Sequence, residues 1–526
     1  SIAIYSAAVT INAEIPQDMW QGYMAGQKKI IENDNHLLYN TPICGIYAQL
    51  IYRRKCNLKE KSTLNINGQL SLKNMIALVI RLSIPAIMAE VSSIIMQYID
   101  AGMVGSLGEN ATASIGLVST TTWLIGGLCI SAATGFSVQV AQLIGAERDE
   151  EARNVFRQGL IVALIFGAIL SVTAISISKS LPVWLGGNSD IHKEASRYFF
   201  IYACALPATQ LRQLCGSMLQ CSGDMKTPSI LNILLCVLDV IFNFIFIFPT
   251  RTVTIFGISI HIYGGNLGVA GAALGTAAAE VCVAVLMLLA ACVRSKKLSF
   301  RYGGRWKFRG RCMKTAAKIA VPTAFEHMIM CGAQIVSTRI VAPLGTAAVA
   351  ANSLAVTAES FCYMPGYGIG SAATTLVGQS IGMGRKDLAR RFARASVILG
   401  MVIMSFGAVI MFFVAPLMFS ILTPSPEVRR LGTEILRIEV FAEPLYAASI
   451  VCSGALRGAG DTLVPSILNF VSMWGIRITM ALVLVPYMGL HGVWIAMCVE
   501  LCIRGIMFLV RLVREKWLKN RVVVID

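Results

Sequence analysis

Two stretches decide the architecture: AQLIGAERDEEAR, from Ala141 to Arg153, and GQSIGMGRKDLAR, from Gly378 to Arg390. Laid over one another without a gap they share Gln, Ile, Gly, Arg, Ala and Arg at an offset of 237 residues. The same offset carries Pro85 onto Pro322, Leu107 and Gly108 onto Leu344 and Gly345, and Pro207 onto Pro444. It also lays GDMKTPSILN (Gly223 to Asn232) over GDTLVPSILN (Gly460 to Asn469). Agreement at one fixed spacing over so long a distance marks an internal duplication. The register breaks once, at Thr250 to Asn266, an extra stretch of alternating apolar residues with Gly264 and Gly265 that reads as an outward-facing hairpin. Beyond it LGVAG (Leu267 to Gly271) resumes against MGLHG (Met488 to Gly492).

What surrounds these matched segments is apolar. The 526 residues are 56% hydrophobic and 14% charged, with a mean hydropathy of +0.68, against roughly 25% charged in a soluble globular chain. Runs such as Ala111 to Ala146, Ile340 to Ala358 and Ala395 to Pro426 contain no Lys, Arg, Asp or Glu, and a helix needs about 20 mainly apolar residues to cross the hydrocarbon. About twelve spans fit between Ile84 and Leu512. The expected fold is an all-α polytopic membrane protein of two parallel six-helix repeats forming two lobes.

The net charge of +17 lies in loops between the apolar runs, as the positive-inside rule expects, so anionic lipid headgroups rather than nucleic acid are the expected partner. The fifteen cysteines are scattered through apolar runs with no metal-ligand spacing and read as small packing residues. Arg294 to Lys318 holds ten Lys or Arg and no acid, which makes it a cytoplasmic linker. Six spans precede it, so both termini are expected in the cytoplasm and the protein in the bacterial inner (plasma) membrane. The divisions are then 1–70, an N-terminal extension with no convincing secretory signal and no assigned role; 71–293, the N-lobe; 294–318, the linker; 319–514, the C-lobe; and 515–526, a cytoplasmic tail.

Ionisable residues at bilayer depth are costly and invite functional readings. Asp100 sits in the first span; Asp239 sits in the fifth, with Asn243 one turn later on the same face. The matching C-half positions are Ser337, Ile476 and Met480. Scaffolding needs should recur in both halves, whereas one ion site need occur in only one. Two carboxylates and an amide oxygen suit Na+ or a proton, and the bland alternative is a polar helix contact. In the C-half, Glu359 divides two uncharged stretches and is a candidate for contact with a cationic substrate or a packed structural acid. Glu326 and His327 read as early in the seventh span, near the cytoplasmic interface. Glu280, Arg339, Arg477 and Glu500 are further charges of the membrane region. Tyr363, Met364, Glu326 and Arg477 join Glu359 as substrate-cavity candidates. No GxxxxGK[ST] phosphate loop is present, so a gradient rather than ATP should drive transport. The five dispersed histidines give no enzyme site, so no catalytic residue and no cofactor is expected.

From Ile84 to Leu512 the chain resembles the MATE family, multidrug and toxic compound extrusion, within the MOP flippase superfamily. The resemblance is carried by IDAGMVGSLG (Ile99 to Gly108), YMPGYGIGSAATTLVGQSIG (Tyr363 to Gly382), LRGAGDTLVP (Leu456 to Pro465) and the fifth-span D-x-x-x-N. It implies two lobes around a V-shaped cavity and export of organic cations or other amphipathic compounds in exchange for H+ or Na+; a monomer is expected. It also implies that Asp100, Asp239, Asn243 and Thr276, in GAALGTAAAE, form the coupling site, with Asp100, Asp239 and Asn243 as metal ligands if Na+ is the ion. Many members place Asn first and Asp one turn later; here the order is reversed. A lipid-linked precursor flippase of the same superfamily is the alternative.

Overall fold

In the computed structural model of the protein, residues 71–255, 258–302 and 308–519 are described. Residues 1–70 and 520–526, with the extension and the end of the tail, lie outside the described residues, as does the middle of the linker, 303–307. From Leu72 onward the chain forms one compact unit.

The first half contains α1 Leu72–Gly105, α2 Glu109–Gly145, α3 Asp149–Ile177, α4 Ser189–Cys221, α5 Lys226–Ile247 and α6 Val269–Leu289. The second contains α7 Gly310–Val341, α8 Thr346–Gly382, α9 Lys386–Leu422, α10 in two segments, Pro426–Glu439 and Glu443–Ala459, α11 Leu463–Met488 and α12 Leu490–Val513. The 237-residue offset reappears as geometry, since α2 and α8 begin and end at matching residues and α3 and α9 start at matching residues. Among the described residues nine helices are long and apolar enough to cross a membrane; α4, α8 and α10 fall short on hydropathy or length but run between helices that qualify. Matching spans run in the same direction in the two halves, which makes the repeats parallel.

Turn chemistry repeats as well. Gly108 and Gly345 (φ 110° and 99°) precede α2 and α8, and Gly223 and Gly460 (φ 95° and 83°) precede α5 and α11. At the turn after α2 and α8 the halves differ: Gly384 has φ 74°, while its counterpart Glu147 is a glutamate at φ 59°. A Cβ in that region crowds the following carbonyl by roughly 1 kcal/mol. Glu147 is exposed, so Glu147→Gly is expected to stabilise the protein by about 0.5–1 kcal/mol, seen as a higher melting temperature in detergent; a fall would mean the side chain has a contact worth more than the strain.

The inserted stretch is an antiparallel hairpin, β1 Pro249–Ile255 and β2 Ile258–Gly265, with Thr252 opposite His261. The seventh helix starts earlier than the apolar run suggests: α7 begins at Gly310 inside the basic segment, so Glu326 lies midway along it and is 3% exposed. Arg311, Lys314 and Lys318 therefore occupy its first turns. Long apolar helices with one unpartnered face mark the periphery. On α9 the exposed Ile398, Val402, Phe406, Val409, Phe413 and Leu417 recur every three or four residues along one stripe, the surface hydrocarbon chains would cover.

The halves meet at the end of the bundle that carries Arg148 and Arg385, called here the basic end. From Ala133 to Gly145 α2 is almost wholly buried, and α8 likewise from Ile369 to Gly382, whereas both are partly exposed nearer their starts. Higher in the bundle the halves touch where Tyr98 stacks on Phe361 at 5.4 Å.

Candidate functional site

The fifth helix places Asp239 and Asn243 one turn apart, and packing of α1 and α6 against α5 brings in the remaining groups. Asn243 Nδ2 donates to Asp100 Oδ1 at 2.9 Å and to Asp239 Oδ2 at 3.0 Å. Asp239 and Asn243 are each 1% exposed, and Thr276 faces the Asp239 carboxylate. The four residues named from sequence thus converge from three helices. The fit is close at Gly275, where a Cβ would run into Asn243 Oδ1, so glycine there is what lets α6 approach the amide. Asp239 Oδ1 and Asn243 Oδ1 are buried with no hydrogen-bond partner.

Two carboxylates bridged by one neutral amide cannot both remain bare anions at this depth; the pair must share a proton or a cation. The donor set, two carboxylates, an amide and a hydroxyl, is made of the hard oxygens Na+ takes, so it fits that ion. In the orientation found here the amide presents its NH2 to both acids, which suits a shared proton; Na+ calls for the amide turned over, with Oδ1 inward.

One turn beyond Thr276 on α6, Glu280 accepts from Arg212 of α4 at 2.6 and 3.0 Å, and Arg212 also donates to Asn232 Oδ1 at 3.2 Å. This pair is satisfied, and its arginine is not free for an anionic substrate. Glu90 of α1 lies near Arg212. Neither Arg212 nor Glu90 was singled out from sequence.

In the C-lobe, Glu359 of α8 is 6% exposed and faces two acids the sequence reading passed over, Glu439 and Glu443 of α10, both fully buried. One carboxylate oxygen from each lies within 4.8 Å of the other two, and Glu359 and Glu439 are within hydrogen-bonding reach of each other. The signal available in EVFAEP was the i, i+4 spacing of two acids in an apolar stretch ahead of Pro444. That proline withholds the N–H its fourth predecessor, Val440, would have received, and α10 breaks there, between the two acids, whereas α4 runs unbroken through the matching Pro207.

Beside this set Glu500 of α12 accepts from Arg477 at 2.8 and 3.1 Å and pairs with Arg504 at 3.0 Å. A π-helical turn, Val471–Ile478, interrupts α11 where Arg477 projects; the matching part of α5 is regular. Tyr363 packs against Tyr367 and Tyr446 with centroids 6.0 and 5.7 Å apart, and Arg504 lies over the Tyr446 ring at 5.4 Å. Met364 is half-buried on the same turn of α8. Glu326 is elsewhere, accepting from Arg457 at 2.9 Å and from Asn469 Nδ2 at 2.7 Å, so its charge is met within the C-lobe. The structure therefore gathers the N-lobe four at one place, Glu359 and Tyr363 at another with Arg477 beside them, and sets Glu326 apart.

Comparison with known proteins agrees with this architecture. The profile of the MatE family matches residues 85–245 and 322–483, one block in each half. A probable multidrug resistance protein NorM of Thermotoga maritima is 26% identical over 448 residues, covering 84% of this chain and 93% of that one. An uncharacterized transporter YisQ of Bacillus subtilis is 24% identical, covering 80% and 90%. Among solved structures, the outward-facing conformation of a multidrug resistance MATE transporter superposes with a TM-score of 0.77 at 20% identity, over 85% of this chain and 97% of that one. A MATE transporter of Vibrio cholerae gives 0.75 at 16% identity, over 84% and 97%. With both halves matched and the duplicated helices in the expected order, the chain belongs to the MatE family and is a multi-pass membrane transporter of the MATE type.

Proposed function

We propose that this protein is a secondary antiporter that exports amphipathic organic cations in exchange for H+ or Na+. The observation that carries the reading is the Asp100, Asn243, Asp239 bridge, two carboxylates held around one amide in one lobe only. Loading that site with a proton or Na+ removes the repulsion between the acids, so occupancy biases the packing of α1 against α5 and α6. The relatives named as multidrug resistance proteins support small organic substrates. Glu359, Glu439 and Glu443 of the C-lobe face one another, and the charge one of them gains by releasing a proton would receive a substrate cation.

On this proposal the basic linker, Arg148, Arg385, Arg511 and both termini face the cytoplasm of a bacterium, and the protein acts in the inner membrane as a monomer among lipids without nucleic acid. A lipid-linked precursor flippase would need free cationic groups for anionic headgroups. Arg212, Arg477 and Arg504 each bond a glutamate instead, which favours the cation exporter.

The test is transport in proteoliposomes with pH and Na+ gradients imposed separately, using tetraphenylphosphonium as the probe cation. Uphill flux should follow one gradient and ignore the other. Flux indifferent to both, or movement of a lipid-linked sugar phosphate in place of the cation, would sink this reading.

A further inference from the structure

The Gln-x-x-Gly shared by AQLIGAERDEEAR and GQSIGMGRKDLAR has no part in either acid site, yet it occupies a crossing of the two halves too close for a Cβ on either glycine. Gly145, the last residue of α2, lies so close to the backbone of Gln379 that a Cβ there would overlap its carbonyl, and Gly382, the last residue of α8, meets the backbone of Gln142 in the same way. The two helix ends therefore cross backbone to backbone, each glycine against the other half's glutamine. From that crossing each glutamine reaches further into the opposite half. Gln142 Nε2 donates to Gly458 O at 3.3 Å, and Gln379 Nε2 donates to Cys221 O at 2.9 Å. The acceptors are themselves duplicates at the 237-residue offset, carbonyls at the C-terminal ends of α10 and α4, where a helix offers oxygens with no N–H of its own to accept from. Gln142 and Gln379 are 1% and 3% exposed. On the α4 side Ser371 and Thr375 of α8 add bonds to Gln220 Oε1 and Gln220 O at 2.9 and 3.1 Å.

We propose that Gln142 and Gln379 are the gate between the halves at the basic end: each caps the end of a helix in the other half, and the transport cycle requires both bonds to open. The chemistry suits a latch that must release. The bonds are neutral, and the carbonyls they leave behind lie at helix ends, where water can replace the amide once the halves part. Each neutral bond of this kind shifts a two-state equilibrium by only about 2- to 10-fold, so the pair holds the end shut and still yields to a change of charge at a coupling site. The glycines set the closeness of the crossing; the glutamines supply its reversible part. The proposal rests on the transporter reading but on neither choice of ion nor choice of substrate.

Native cysteines report the gate without engineering. Cys221 is 4% exposed between Ser137 and Thr375 of the two halves, whereas Cys215 and Cys452, both fully buried, lie inside one lobe each. The full-length protein in proteoliposomes, at rest and without a gradient, is treated with N-ethylmaleimide and the labelled peptides are followed by mass spectrometry. In Gln142→Ala/Gln379→Ala, Cys221 is expected to label at least about tenfold faster than in the parent, with Cys215 and Cys452 unchanged, and downhill leak of tetraphenylphosphonium is expected to rise. In the parent, conditions that drive turnover should speed labelling of Cys221 alone. Protection of Cys221 equal to the parent's would overturn the proposal. So would faster labelling of all three cysteines in both the double variant and the milder Gln379→Ala, since that is general loosening rather than an opened gate. Labelling at rest needs no antiport, so this outcome stands apart from any failure of the coupling reading.

Discussion

Proteoliposomes containing Asp239→Asn are expected to lose gradient-driven efflux by about 100-fold or more while holding the protein at its normal level. The substitution keeps the size of the side chain and its place against Asn243, and it removes the one feature a titrating or cation-binding site cannot lose. Asp239 is 1% exposed and shares the Asn243 amide with Asp100, so in the variant a single carboxylate faces two amides. That arrangement has no second anion to repel, and the carboxylate that remains, Asp100, is met by amide donors, so a proton or Na+ gains far less by binding there and the lobe loses most of its charge-dependent reason to switch packing. A population shift from 1:99 to 99:1 takes about 5.5 kcal/mol of differential binding, and a neutral amide cannot supply it. Insertion should survive, because an uncharged buried group costs less than a charged one. The measurement is substrate movement against its gradient under imposed pH or Na+ differences. Undiminished uphill flux with the original ion dependence would move the coupling site elsewhere, and the Glu359, Glu439, Glu443 set would be next.

The second large effect separates two kinds of buried glutamate in the C-lobe. Glu500 is fully buried and holds both Arg477 and Arg504. Glu500→Leu leaves two guanidinium groups in the interior without their partner, and breaking a buried pair from one side costs about 3–5 kcal/mol. A marked drop in thermal stability and in yield is expected. Glu439 and Glu443 are equally buried but face another carboxyl group, Glu359, so an amide in place of either leaves no guanidinium without its partner. Glu439→Gln and Glu443→Gln should leave stability unchanged or raise it. Their cost should fall on transport: the apparent affinity for tetraphenylphosphonium should weaken by about tenfold, and neutral substrates should be affected less. Such a trade of stability against activity is what strained functional groups show and structural ones do not. Melting curves and transport on the same three variants decide it. Equal destabilisation in all three would make the acid set a structural network.

Much of this was legible in the chain itself. A fixed offset between GDMKTPSILN and GDTLVPSILN requires matched helix lengths, and α2 and α8 do end at matching residues because both halves must span the same hydrocarbon thickness with their backbone groups satisfied inside the helix. Asp239 and Asn243 could be paired from spacing alone, since one helical turn fixes their common face. Which helices would deliver Asp100 and Thr276 to that face followed from resemblance, not from periodicity.

The tertiary structure decided the rest. It set the position of Glu326 in its helix, because the seventh helix begins within a segment whose charges give hydropathy no cue to where winding starts. It placed Glu439 and Glu443 opposite Glu359 through a break at Pro444 in a helix of low hydropathy, and it turned Arg477 onto Glu500 through a π-helical turn that no composition announces. The sequence of a membrane protein records what each helix owes to the lipid and to its own backbone, and both are local, repeating demands. Which buried charge meets which partner depends on the rotation and approach of separate helices, and those are settled only when the faces pack.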